Sequence, residues 1–108
     1  MSDTFQEREK GFERKFQLDQ ELQFKVNAVR DKLFGHWLAE KLGLTGASAD
    51  QYAKDVVVAN LDKPGDDDLM AKVRRDLDGR NVVISDKELR YKLEELQALA
   101  ARKVMGEN

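Results

Sequence analysis

The chain contains no cysteine. That excludes a disulfide framework and any thiolate-bound metal. Its single histidine, His36, is too few for a multi-histidine zinc site. Proline occurs once, at Pro64, which leaves long stretches free to be helical. No run approaches the roughly 20 apolar residues that cross a bilayer, and no basic start followed by an apolar run marks a signal peptide. Neither charge sign dominates: 19 basic residues face 21 acidic ones, for a formal net charge of −2. A nucleic-acid binder carries a basic excess on some element; here the signs alternate along the chain, as on exposed helix faces. With 108 residues, one core can hold together unaided. The expectation is an all-α, cytoplasmic protein, monomeric when free, with no nucleic-acid partner and no direct membrane insertion.

What is present is helical periodicity. From about Leu18 to Leu42, the residues Leu18, Leu22, Val26, Val29, Leu33 and Trp37 recur at three- and four-residue steps and define one apolar face. Gly43 stands where a left-handed cap ends such a helix. Ser48 with Gln51 has capping-box spacing, and Tyr52, Val56, Val57 and Leu61 form a short face after it. Pro64 and Gly65 break the chain. Asp66, Asp67 and Asp68 suit the first turn of a further helix, whose face is Leu69, Met70, Val73 and Leu77 and which ends near Asp78 and Gly79. Residues Asn81 to Ile84 read as a connector. Ser85 caps the last helix with Glu88 at the boxed position, and Ile84 and Leu89 have staple spacing. Leu89, Leu93, Leu96 and Ala100 supply its buried face, and Gly106 to Asn108 form a frayed end.

The first 17 residues are different. Thr4 and Glu7 have capping-box spacing, but the only large apolar residues between Ser2 and Gln17 are Phe5, Phe12 and Phe16. At 100° per residue these fall on one narrow stripe, about a quarter turn from the Leu18–Trp37 face. One straight helix does not bury both against the same neighbour. Gly11 costs about 1 kcal/mol relative to alanine within a helix. The chain is therefore expected to divide into a mobile arm, 1–17, and a four-helix domain, 18–108. Two readings of the stripe stand: it docks onto the protein's own helices, or it folds into a groove on a partner. The mixed charges around it lack the basic face that a membrane-surface helix favours.

Catalytic chemistry finds little purchase. Asp66, Asp67 and Asp68 do not alternate as a calcium loop requires, so helix capping accounts for them. His36 beside Trp37 reads as a packing or surface residue. Thr4, Ser48 and Ser85 sit at expected helix starts. No G-x-S-x-G elbow and no Gly-rich phosphate loop is present. The expectation is a protein that is not an enzyme, with no metal and no cofactor. A helical nucleotide-sensing module or an adaptor for another complex fits these features.

Four stretches resemble a known family. "FQEREKGFERKFQLDQELQFK" from Phe5 to Lys25 is similar to the start of the alphaproteobacterial F-type ATPase inhibitor called the zeta subunit. "RDKLFGHWLAEKLGL" from Arg30, "YAKDVVVANLDKPGDDDLMAKVRRDL" from Tyr52 and "SDKELRYKLEEL" from Ser85 continue the likeness in order. The resemblance implies four helices and a mobile arm that folds into a helix inside the catalytic head of the F-type ATP synthase, near the central rotor. There it blocks hydrolytic rotation. By position, the inhibitory arm maps onto Ser2 to about Asp19. The candidate partner-binding residues are Phe5, Phe12 and Phe16 as apolar anchors, with Arg8, Glu9, Arg14, Lys15 and Asp19 as charged neighbours. The resemblance also implies weak ATP or ADP binding by the helical body, for which no motif in this sequence marks a site.

Overall fold

A computed structural model describes residues 2–61 and 65–106, with side chains from residue 20 onward. The fold is all-α: helices α1 (Ser2–Lys41), α2 (Gly46–Ala59), α3 (Asp67–Gly79) and α4 (Asp86–Gly106) follow one another, with no strand among the described residues. The side chains of the arm candidates, Phe5 to Asp19, lie outside the described residues, as do Leu18, the Thr4–Glu7 capping box, Pro64 and the last two residues.

The helix ends follow local chemistry. Gly43 takes φ +78, and Leu44 N–H donates to Ala39 O at 2.8 Å while Gly43 N–H donates to Glu40 O at 3.1 Å. This paired closure consumes carbonyls that would otherwise be orphaned at the end of α1. Arg80 adds a guanidinium bond to Leu42 O at 3.1 Å. The end of α3 repeats the device with Asn81 at φ 60, and Val82 N–H donates to Leu77 O at 2.9 Å. At the start of α4, Ser85 Oγ accepts from Glu88 N–H at 3.1 Å, as its spacing foretells. The start of α2 departs from expectation. The helix begins at Gly46 behind Thr45, which makes no side-chain cap, and Ser48 lies inside the first turn. Gly46 at φ +57 lets the chain turn into the helix earlier than the Ser48–Gln51 box implies.

α1 is the hub, packed against both α2 and α4, and α3 joins through α2. Phe34, Leu38, Val56, Leu69, Val73, Leu77 and Leu89 are fully buried at the centre. The expected faces of α3 and α4 are all buried. On α2, Val56 and the unexpected Ala53 are buried and Tyr52 is half-buried, while Leu61, expected on the same face, lies beyond the helix end and is exposed.

The face of α1 needs correction. Its buried row is Val26, Arg30, Phe34, Leu38 and Leu42, flanked by Asp31, Gly35 and Ala39. Leu33 and Trp37, from the expected face, are partly buried at the edge of this core. The reason is that α1 is covered on two sides. Trp37 and Arg30 meet α4, through Lys92 and Gln97. Gly35 meets α2 so closely that a Cβ there would stand 2.6 Å from Ala53 Cα. Phe34 and Leu38 run between these edges.

This shift removes the angular reason for setting residues 1–17 apart, and α1 runs as one helix from Ser2 to Lys41. By the 100° wheel, Phe5, Phe12 and Phe16 share the angular sector of Arg30 and Phe34, so rotation no longer distinguishes them. Polarity does. Between Phe16 and Arg30, that sector carries Asp19, Gln20, Gln23 and Asn27. Gln20 and Gln23 are exposed, and Gln23 Nε2 donates to Asn27 Oδ1 at 2.9 Å. Among the described residues, α1 is first buried at Val26.

Candidate functional site

The residues expected to meet a partner lie before residue 20, and their side chains are outside the described ones. What it does describe is the ground on which such an arm stands, and a polar cluster that the sequence reading missed.

Arg30 is the centre of that cluster. It projects from α1 into the body and is 7% exposed, and neighbouring Asp31 is 3% exposed. Arg30 Nε donates to Asp31 Oδ1 at 2.9 Å. Its terminal nitrogens donate to Asp66 Oδ1 at 2.7 Å and to Gln97 Oε1 at 3.2 Å. Asn60 Nδ2 donates to Asp31 Oδ2 at 2.9 Å and to Asp66 Oδ1 at 3.2 Å. The guanidinium thus ties α1 to the entry of α3 and to α4, and Asn60 at the end of α2 joins through the two carboxylates. Asp66 stands at the capping position of α3 but makes no side-chain cap. Its carboxylate serves Arg30, which corrects the capping role expected of it. Asp67 and Asp68 remain exposed in the first turn, where their charge meets the helix dipole.

The electrostatics are uneven. Burial disfavours the Asp31 carboxylate and, despite Asn60 and Arg30, pushes its pKa up. Burial works the same way on Asp66, but the Arg30 hydrogen bonds and charge outweigh it and hold that carboxyl below the ordinary range. Burial also opposes the Arg30 charge, and the two carboxylates more than offset it. Asn60 Oδ1 is buried without a hydrogen-bond partner, because the cluster is richer in acceptors than donors. The signal available in sequence was the placement of Arg30 and Asp31 among small and apolar residues on one side of α1.

Above the cluster lies a cleft of about 470 Å³ between α1 and the end of α2, with Gln23, Phe24, Ala28, Val57, Leu61 and Asn60 among its lining. A second groove, of about 360 Å³, lies between Trp37 and the α4 residues Lys87, Glu88, Tyr91 and Lys92. Trp37 stacks on Phe34 with ring centroids 5.9 Å apart. The ammonium groups of Lys41 and Lys92 stand 5.4 and 5.5 Å from the Trp37 ring, a cation–π arrangement that caps the core at this edge. His36 is half-buried, with Nε2 4.0 Å from Asp50 Oδ1 across α1 and α2, in keeping with a packing or surface role. No group of three or more metal-binding side chains occurs among the described residues. No described helix is long and apolar enough to cross a membrane.

Comparison with known proteins adds what geometry does not. A family model described as "ATPase inhibitor subunit zeta" matches residues 1–103. Among solved structures, a protein determined by solution NMR is 44% identical, with a TM-score of 0.71, over 81% of this chain and 99% of its own. No curated protein matches.

Proposed function

Given that the chain belongs to the ATPase inhibitor subunit zeta family, we propose that it restrains ATP hydrolysis by the F-type ATP synthase through an N-terminal arm that folds into the catalytic head. The observation that carries this reading is the reach of the family match: it begins at residue 1 and so includes the arm together with the helical body. The family is one of inhibitors, so the role is regulatory, and an ATPase is the partner.

The arm mechanism follows from chemistry. Phe5, Phe12 and Phe16 lie on one stripe that a groove between partner subunits can bury. Arg8, Glu9, Arg14, Lys15 and Asp19 flank that stripe and set its orientation through charge pairing at the rim. A segment that orders on binding spends part of its interaction energy on ordering, so its grip stays reversible. Wedging at an interface near the central rotor opposes hydrolytic rotation without any catalytic side chain. Action on the catalytic head accords with a cytoplasmic location, and a polar root at Gln20, Gln23 and Asn27 supports an arm that acts apart from the body.

The test is ATP hydrolysis by a cognate F-type ATPase, with the full chain and with one beginning at Leu18. The core cluster starts at Phe34, so the shorter chain keeps every residue of that cluster. Inhibition by the full chain alone is the expected result. Equal inhibition by both would remove the arm from the mechanism.

A further inference from the structure

The side of α1 that faces α2 continues past the end of α2. Gly35 touches Ala53. One turn earlier, Asp31 accepts from Asn60 just beyond α2. Earlier still, Ala28 and Phe24 line the cleft opposite Val57 and Leu61. Phe24 is 61% exposed, Leu61 49%, and Val58, one turn before Leu61, 60%. Scattered exposed apolar residues are ordinary. Here Phe24 and Leu61 share one cleft, at the point where α1 leaves the body.

We propose that the Phe24–Leu61 patch is a second contact between this protein and the ATPase, closing on an apolar rim of the site that receives the arm. This inference rests on the arm reading given above. The occupant follows from chain length. Phe24 stands eight residues after Phe16, which is about 12 Å along a helix and no more than about 29 Å along any path. A surface that grips Phe16 is therefore within reach of Phe24. The upper α1 wall of the cleft fits an uncharged rim. It presents Gln23, Phe24, Asn27 and Ala28, and beneath them the Arg30 charge pairs with both Asp31 and Asp66, which also line the cleft. Aromatic and aliphatic anchors such as Phe24 and Leu61, set among polar groups, are what an interface centre requires.

The experiment titrates inhibition of ATP hydrolysis by three full-length chains: the parent, F24A with L61A, and F12A with F16A. Thermal unfolding and light scattering are recorded for each. The F24A/L61A chain is expected to need about tenfold more protein for half-inhibition. It should reach the same maximal inhibition and melt as a monomer at the parent's temperature. An unchanged half-inhibiting concentration, beside lost inhibition by F12A/F16A, overturns the patch and leaves the arm standing. Full inhibition by F12A/F16A removes the arm reading and this inference with it. A parent dimer that F24A/L61A dissolves would assign the patch to a second copy, and overturns the proposal too.

Discussion

Arg30 shows how one residue can organise a small helical body. A guanidinium offers five donors in a fixed fork, and here they reach Asp31, Asp66 and Gln97. Truncating one partner of a buried pair is costly because the other charge stays behind without water. Arg30→Gln would strand Asp31, which is 3% exposed, and should lower stability by about 3 kcal/mol at neutral pH. Denaturant unfolding measures this. The pH dependence carries the signature. The Asp66 contribution, with its depressed pKa, is present above the ordinary carboxylate range and is lost as pH falls through the depressed value. Asp31, with its raised pKa, takes a proton earlier on the way down, and that relieves the stranded charge in the variant. Parent and variant should therefore converge in stability as the solution is acidified. A constant gap across pH would show that Arg30 acts through packing alone.

At the scale of elements, legibility depended on how many sides of a helix are covered. α3 and α4 each bury a single stripe, and Leu69–Leu77 and Leu89–Ala100 were plain in the sequence. So were the Gly43 and Ser85 boundaries, where one residue type answers one local need. α1 is covered on two sides, and its central row runs through Arg30 while its α2 edge runs through Asp31 and Gly35. A hydrophobicity pattern discounts such positions, and it selected Leu22, Val29, Leu33 and Trp37 instead. Gly35 is informative for the same reason. Its missing Cβ permits the α1–α2 crossing, since an added carbon would stand 2.6 Å from the Ala53 backbone. Alanine usually gains about 1 kcal/mol over glycine inside a helix. At this position overpacking should outweigh that gain, for a net loss of about 1–2 kcal/mol. Thermal unfolding of Gly35→Ala should show a midpoint several degrees lower, at about 4–8 °C per kcal/mol for a domain of this size. A raised midpoint would mean that the helices separate at little cost.

For the whole molecule, the decisive question is whether folding and inhibition are separable. The core cluster runs from Phe34 to Leu96, whereas the proposed anchors stand at Phe5, Phe12 and Phe16, beyond a polar stretch at Gln20, Gln23 and Asn27. If labour is divided this way, two substitutions should have opposite effects. Leu38→Ala removes a fully buried side chain and should cost about 2–5 kcal/mol of stability. Assayed well below its melting temperature, it should still inhibit ATP hydrolysis at the parent's concentration, because the arm is unchanged. Phe12→Ala should leave the melting temperature in place and raise the half-inhibiting concentration. An anchor buried at an interface commonly contributes about 2 kcal/mol or more, which corresponds to roughly a thirtyfold shift. Both measurements on both variants are needed, since each alone also fits a general loss of structure. A fall of several degrees in the melting temperature of Phe12→Ala would place the phenylalanine stripe on the protein's own helices. The arm would then have to leave the body before it could enter the ATPase, and inhibition would slow with every change that tightens that contact.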